Sequence, residues 1–402
     1  MEGEEKVYRL RHTPFRVKIH FTRHFHRELE QLPIQYNKVV FDNYMGKGYG
    51  CNGKYVTESL LAADSDLDIV WTVQEPQKQR AKFPKQVRLV RYGSEEAMRE
   101  YATAGIWCGN YQMVHYLNKG LLKKKEQVYI QMWHGSFGIK KIENDCKNLT
   151  SDTNWTILAK RNAAYTDYWI SNSSFETEIY RRAFWNADPI LEYGHPRNDI
   201  FFGGRGKEAR RSVEQYLGRS NYKLLLYVPT FRDDLQEWEE KLNYGLLKQS
   251  LEQRFSGEWL ILVRQHPRMK GSAVSIQSEE EYCADVTGYS DIQELLAAAD
   301  AVVTDYSSAV FDYILTGRPA FIYAPDYRAY RQMRGLYYSL EETPFPIAEN
   351  NRQMAEQIAV FDEVQYREKA RKFLEEKGSA EDGEASRRVA SLILKCTGKN
   401  RK

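Results

Sequence analysis

Short apolar runs, each stopped by a polar or glycine-rich break and followed by a stretch of helical spacing, recur along most of this chain. Lys38-Val39-Val40-Phe41-Asp42-Asn43, Asp68-Ile69-Val70-Trp71-Thr72-Val73, Gln86-Val87-Arg88-Leu89-Val90, Ile106-Trp107-Cys108 and Val128-Tyr129-Ile130-Gln131-Met132-Trp133 mark the first half. Leu224 to Val228, Trp259 to Val263, Ala301 to Thr304 and Ala320-Phe321-Ile322-Tyr323 mark the second. Helical stretches separate them, around Tyr55 to Ala63, Ser94 to Ala104, Tyr244 to Phe255 and Tyr289 to Ala299. Strands alternating with helices predict parallel sheets covered by helices on both faces. The rhythm restarts after Gly203-Gly204-Arg205-Gly206, a stretch suited to a hinge. The fold class is therefore α/β, with two doubly wound Rossmann-like domains facing across a cleft. Residues 38–203 make the first domain and 204–360 the second. A basic N-terminal segment, 1–37, precedes them, and 361–402 supply C-terminal helices and a basic tail. The 402 residues leave room for two such domains.

In doubly wound sheets ligands bind beyond the C-terminal strand ends, and the polar residues of this chain collect there. Ala301-Val302-Val303-Thr304 runs into Asp305-Tyr306-Ser307-Ser308, and a helical pattern then continues to Gly317. Serines at a helix start, with free backbone N–H groups behind them, form either a simple cap or an anion site. Two other strand ends carry basic residues: Val228-Pro229-Thr230-Phe231-Arg232-Asp233 and Val263-Arg264-Gln265-His266-Pro267-Arg268. Arginine stays charged and grips phosphate with two bonds at once. In the first half, Trp133-His134-Gly135-Ser136-Phe137-Gly138-Ile139-Lys140-Lys141 follows a strand. His134 suits a general base, since an unperturbed imidazole titrates at about 6.5. Gly194-His195-Pro196-Arg197-Asn198-Asp199 is a polar turn that contacts substrate or sets the geometry between domains, geometry being favoured. Gly46, Gly48, Gly50 and Gly53, with Lys47 and Lys54, form a loop before the first long helix. No Walker loop, dinucleotide fingerprint, zincin motif or nucleophile elbow is present. A cleft of Arg, His and helix starts can hold a nucleotide diphosphate without a cofactor or metal.

Composition narrows the class further. With 42% hydrophobic and 28% charged residues the chain is a folded one, and a net charge of only +3 does not call for nucleic acid as a partner. Basic residues cluster near the start, at Arg9, Arg11, Arg16, Lys18, Arg23 and Arg27. That cluster suits either an anionic membrane surface or a solvated basic face. No apolar run reaches the length of a membrane span, and no secretory signal is visible. Five scattered cysteines without a Cys-x-x-Cys pair predict neither disulfides nor a zinc site and fit a reducing cytoplasm.

The ordered set of Trp133-His134-Gly135, Gly194-His195-Pro196-Arg197-Asn198-Asp199, Pro229-Thr230-Phe231-Arg232-Asp233, Arg264-Gln265-His266-Pro267, Thr304-Asp305-Tyr306-Ser307-Ser308 and Arg334-Gly335-Leu336-Tyr337-Tyr338 resembles the CDP-glycerol glycerophosphotransferase family. These are the primases and polymerases of teichoic acid synthesis. The resemblance spans about residues 38 to 350 and implies a glycosyltransferase-B-like architecture. It implies a CDP-glycerol or CDP-ribitol donor, a lipid-linked or polymeric polyol-phosphate acceptor, and work at the inner face of a bacterial membrane. It also implies that His134 and His266 are catalytic, and that Thr230, Arg232, Arg264, Asp305, Ser307 and Ser308 hold the donor. Gly135, Lys140, Arg197 and Asn198 are then acceptor or geometry residues. Two departures stand out. The family's usual Trp-His-Gly-Thr-Pro-Leu-Lys is replaced by a run with Ser136-Phe137-Gly138-Ile139 before Lys140. His195 replaces the usual Tyr of the polar turn. A nucleotide-sugar glycosyltransferase of the same fold and a non-catalytic nucleotide- or polymer-binding scaffold are the competing readings.

Overall fold

The computed structural model describes residues 27–63, 66–146, 153–230, 241–265, 281–328, 330 and 335–399. Arg232, His266, Arg334 and the basic cluster at 9–23 lie outside them. The first sheet consists of β1 (Gln35–Asp42), β2 (Asp68–Val73), β3 (Arg88–Arg91), β4 (Ala104–Gly109), β5 (Val128–Gln131), β6 (Tyr168–Ser171) and β7 (Ile190–Glu192). Its strand order is β3-β2-β1-β4-β5-β6-β7, with all pairs parallel. The second sheet holds β8 (Lys223–Val228), β9 (Trp259–Val263), β10 (Cys283–Asp285), β11 (Ala301–Thr304), β12 (Ala320–Tyr323) and β13 (Ile347–Ala348). It is parallel throughout and ordered β10-β9-β8-β11-β12-β13. Central strands are buried on both faces. Val39, Val40, Phe41, Val70, Trp71, Leu225, Leu226, Ile261, Val302 and Val303 have essentially no exposure, the continuous burial that parallel sheets impose.

Each sheet reverses its winding once, between β1 and β4 and between β8 and β11. At those reversals the neighbouring loops diverge and leave a crevice at the C-terminal strand ends. Local signals fix several flanking elements. Ser94 accepts a hydrogen bond from the Ala97 N–H and starts the helix Glu95–Thr103, as expected of a serine cap. Gly317, at φ 64°, ends the short helical segment that begins at Ala309.

The C-terminal segment is not a unit of its own. Helix Glu363–Glu376 buries Tyr366, Ala370 and Phe373, one stripe at helical spacing, in the core of the second domain. Helix Ala385–Lys399 returns to the first sheet, burying Val389, Ala390, Ile393 and Cys396 against Val39, Ile69 and Ile106. Between these helices the chain passes under Ser174, where the Ser174 N–H donates to the Gly378 carbonyl at 3.1 Å. A Cβ on Gly378 would lie 2.1 Å from Ser174 Oγ, and its φ is 63°, so only glycine fits.

The loop after β5 also crosses between domains. Phe137 and Ile139 are fully buried in the second core. The Tyr337 N–H donates to the Ile139 carbonyl at 2.7 Å, and the Lys141 N–H to the Gly335 carbonyl at 3.2 Å. The Gly335–Tyr338 stretch is thus the strand-like partner of the His134 loop. Gly203 and Gly204 have positive φ and open space around them, and the residues just before them, Pro196–Ile200, are buried.

Candidate active site

His134 sits just beyond β5, half-buried beneath aromatic rings. Its ring centroid lies 4.3 Å from that of Trp133, 5.1 Å from Tyr44 and 5.5 Å from Tyr111. Nδ1 is 2.6 Å from the carbonyl oxygen of Asn110. A carbonyl only accepts, so Nδ1 carries the proton of the neutral ring and Nε2 keeps the lone pair. Asn110 is itself the knot of the first sheet's reversal. Its Nδ2 donates to Asn43 Oδ1 at 2.8 Å, and its Oδ1 accepts from the Tyr44 N–H at 3.0 Å. Burial lowers the His134 pKa from 6.5 to about 4, with Arg197 and His195 pushing the same way and the Asn110 bond opposing them. The folded protein therefore holds the imidazole neutral at pH values where a free histidine is half protonated. We expect the acidic limb of kcat/KM against pH to fall near 4 rather than near 6.5 if His134 is the base. A limb near 6.5 that shifts or disappears when another histidine is substituted would give the role to that residue instead.

The Arg197-Asn198-Asp199 turn is wholly buried and each side chain joins distant parts. Arg197 donates from Nε and Nη2 to the two Asp312 oxygens, at 2.9 and 3.1 Å, and from Nη2 to the Gly135 carbonyl at 2.6 Å. Asn198 Nδ2 donates to Asp312 Oδ1 at 3.1 Å and to Glu381 Oε1 at 2.7 Å. Gln293 Nε2 donates to Asn198 Oδ1 and to Asp312 Oδ2, at 2.9 and 3.2 Å. Asp199 accepts from the N–H groups of Ala385 and Ser386 and so caps the last helix. His195 has no exposure, and its Nε2 is 2.9 Å from Glu176 Oε2. Burial raises the Glu381 pKa to about 8, so this carboxyl is largely protonated at neutral pH. A second bridge joins the domains nearby, where Lys54 Nζ is 2.8 Å from Asp291 Oδ2 and also meets Glu294.

On the second sheet, Asp305 is turned inward. It accepts from the Thr230 N–H at 3.0 Å, from the Thr230 hydroxyl, and from the Tyr306 N–H at 2.6 Å. Asp305 and Thr230 thus tie together the ends of β8 and β11 at the reversal. Ser307 Oγ accepts from the Ala309 N–H at 3.3 Å. Ser308 occupies the cap position but makes no capping bond. A Cβ built on Gly138 would lie 4.0 Å from Ser308 Cβ, so the His134 loop and this turn meet. Lys140 Nζ stands 5.6 Å above the ring of Tyr330, which stacks on Tyr306 at 3.7 Å. Arg264 leaves β9 and donates from Nη1 to the Tyr289 carbonyl at 2.7 Å. Its burial lowers its pKa, with Asp291 opposing.

Gly135, Arg197 and Asn198 are therefore brought together beside His134, and Gly138 of the same loop meets Ser308, while Lys140 stands over Tyr330 and Thr230 and Asp305 brace the ends of β8 and β11. Sequence reasoning did not assign Asn110, Asn52, Gln293, Asp312 or Glu381. Asp312 closes the opening serine motif, but nothing local shows that it pairs with a residue 115 positions away. All five cysteines are buried, and none forms a disulfide among the described residues.

Two Rossmann-like sheets joined across such a seam define a glycosyltransferase-B-like fold. A solved structure of the wall teichoic acid polymerase TagF superposes with a TM-score of 0.82 at 28% identity, covering 96% of each chain. A UDP-GlcNAc 2-epimerase from Neisseria meningitidis shares the fold alone, at TM-score 0.54 and 10% identity. The family model for CDP-glycerol:poly(glycerophosphate) glycerophosphotransferases matches residues 23–395, and the chain belongs to that family. A teichoic acid poly(glycerol phosphate) polymerase of Staphylococcus epidermidis is 33% identical over 372 residues. The match covers 89% of this chain but 50% of that protein, so the chain spans half its length. A teichoic acid glycerol-phosphate transferase of Staphylococcus aureus is 31% identical over 389 residues, covering 91% of this chain and 95% of that one.

Proposed function

We propose that this enzyme transfers a polyol phosphate, glycerol phosphate first among the candidates, from a CDP-activated donor to a polyol-phosphate acceptor and releases CMP. The meeting of the His134 loop with the Ser307–Ser308 turn carries the reading. It sets a neutral base from one domain against a helix start from the other. The acceptor hydroxyl gives its proton to His134 Nε2 as its oxygen attacks the donor's β-phosphorus. The bond from that phosphorus to the bridging oxygen breaks, and CMP leaves with the electron pair. The N–H groups and hydroxyls at Ser307 and Ser308 stabilise the diphosphate, together with Arg264, Arg232 and His266. Domain closure excludes water, which would otherwise hydrolyse the donor.

The acceptor is lipid-linked or polymeric, and the enzyme works at an anionic membrane surface. No helix among the described residues is long and apolar enough to cross a membrane, and the clustered arginines near the start supply the attraction. Mass spectrometry of products from a synthetic lipid-linked acceptor, offered CDP-glycerol, CDP-ribitol or a UDP-sugar, tests the reading. Growth of the acceptor by polyol-phosphate units with release of CMP is expected. Growth by sugar units would assign a glycosyltransferase instead, and no transfer from any donor would leave a binding scaffold.

A further inference from the structure

The glycine-rich loop after β1 leads into helix Cys51–Ala62, and the start of that helix is buried but has no side-chain cap. Gly50 at its cap position provides no side-chain bond, and the first turn carries no acidic residue. The N–H groups of the first turn have no partner within a helix, and among the described residues none accepts from Cys51, Asn52 or Gly53. Gly50 precedes Cys51, whose φ of 52° turns the chain sharply into the helix.

A second observation points at the same place. Arg197 is 3% exposed, and its Nη1 has no partner among the described residues, although Nε and Nη2 are fully engaged. A buried guanidinium nitrogen without an acceptor is costly. The helix start and this guanidinium are fastened together, since the Arg197 N–H donates to Asn52 Oδ1 at 3.1 Å. Cys51 and Tyr44, whose side chains meet each other, both lie within electrostatic reach of Arg197. Asn52 Nδ2 in turn donates to the Met132 and Trp133 carbonyls at 3.0 Å, which fixes the helix start beside His134. Lys54 does not contribute, because Asp291 and Glu294 hold it.

We propose that the first turn of helix Cys51–Ala62 and Arg197 Nη1 form an anion subsite that takes the phosphate of the acceptor's terminal polyol-phosphate unit. The inference rests on the transfer reaction above and adds to it the feature of the acceptor that is recognised. Uncapped helix N–H groups with a partly unsatisfied guanidinium fastened beside them suit a phosphate. The subsite lies on the His134 side of the seam, whereas the Ser307–Ser308 turn lies on the other. In a polyol-phosphate chain the attacking hydroxyl and its own phosphate are separated by a short carbon chain. An acceptor phosphate held here therefore presents its terminal hydroxyl to His134, and a polyol without phosphate is held poorly.

Two variants of Cys51 test this without touching the Arg197–Asp312 pair. Asn and Asp both accept a positive φ better than most residues, so Cys51→Asn and Cys51→Asp should both fold. They differ only in charge, and the Asp carboxylate would occupy the subsite. Binding of inorganic phosphate, followed by calorimetry on the full chain, should be about tenfold weaker in Cys51→Asp than in Cys51→Asn, the worth of one charge-assisted bond. Acceptor KM should rise by a similar factor, with donor KM equal in the two variants. Equal phosphate binding in the two variants, no phosphate binding by the unaltered protein, or a donor KM that rises with the acceptor KM would overturn the subsite. Phosphate binding that obeys the charge difference in a protein unable to transfer from any CDP-polyol would support the subsite and overturn the reaction.

Discussion

His134→Ala lowers turnover by about 10²–10⁴-fold, the usual contribution of a positioned general base, while leaving affinity for the CDP-polyol donor nearly unchanged. The split follows from where the residue is anchored. Its Nδ1 is bound to Asn110 at the reversal of the first sheet, and the donor is assigned to the strand ends of the second. Calorimetric titration with donor separates the two quantities. A loss of donor affinity as large as the loss of turnover would make His134 a binding residue instead. His134→Asn is a useful companion, because its Nδ2 takes the place of Nδ1 as donor to the Asn110 carbonyl and the basic nitrogen is removed. It should be as inactive as the alanine variant, yet fold as well as the parent.

Asp312→Ala destabilises the protein by about 3–5 kcal/mol, the cost of leaving one member of a buried ion pair alone. The side chains of Arg197 and Asp312 are 4% and 6% exposed, and Asp312 also accepts from Asn198 and Gln293. Its removal leaves the guanidinium without its carboxylate and takes one of two acceptors from each of two amides. The exposed pair between Arg88 and Asp68 provides the contrast, with side chains 45% and 28% exposed. Asp68→Ala should cost no more than about 1 kcal/mol. Urea unfolding of the two variants measures the difference, and a similar midpoint for both would mean that the buried pair contributes little. Replacing Arg197 and Asp312 together by apolar residues should recover part of the stability but not the activity, since the contact to the Gly135 carbonyl is lost with the arginine.

The two-sheet architecture was legible because parallel strands buried on both faces must be short and continuously apolar, and Val39-Val40-Phe41 or Leu260-Ile261-Leu262 have no other good use. The strand ends were legible for the same reason, since each apolar run stops where its loop becomes polar. The brace between Thr230 and Asp305 and the seam of Arg197, Asn198, Gln293, Asp312 and Glu381 were not legible. They join residues far apart in sequence, and no periodicity or spacing records that. The opening serine motif shows the limit clearly. Ser308 looks like a helix cap, yet its side chain caps nothing, and the helix behind it, Ala309–Tyr313, is short. The C-terminal helices were readable as helices, but each apolar stripe fits any open core. Only the fold shows that Phe373 belongs to one domain and Ile393 to the other.

That last helix changes how the two domains can move. The backbone runs from the first domain to the second through the segment that begins at Pro196, and it runs back after Glu376. Two strands of chain tether the same pair of bodies side by side, as two pins carry a door. One tether would allow swivel, tilt and twist together. Two tethers leave chiefly rotation about the line that joins them, so the seam opens and shuts along one path and returns to the same register. Cutting the chain near Gly378 should leave both sheets intact and remove one pin, so that the remaining crossing and the buried seam alone would hold the strand ends of the two domains in register.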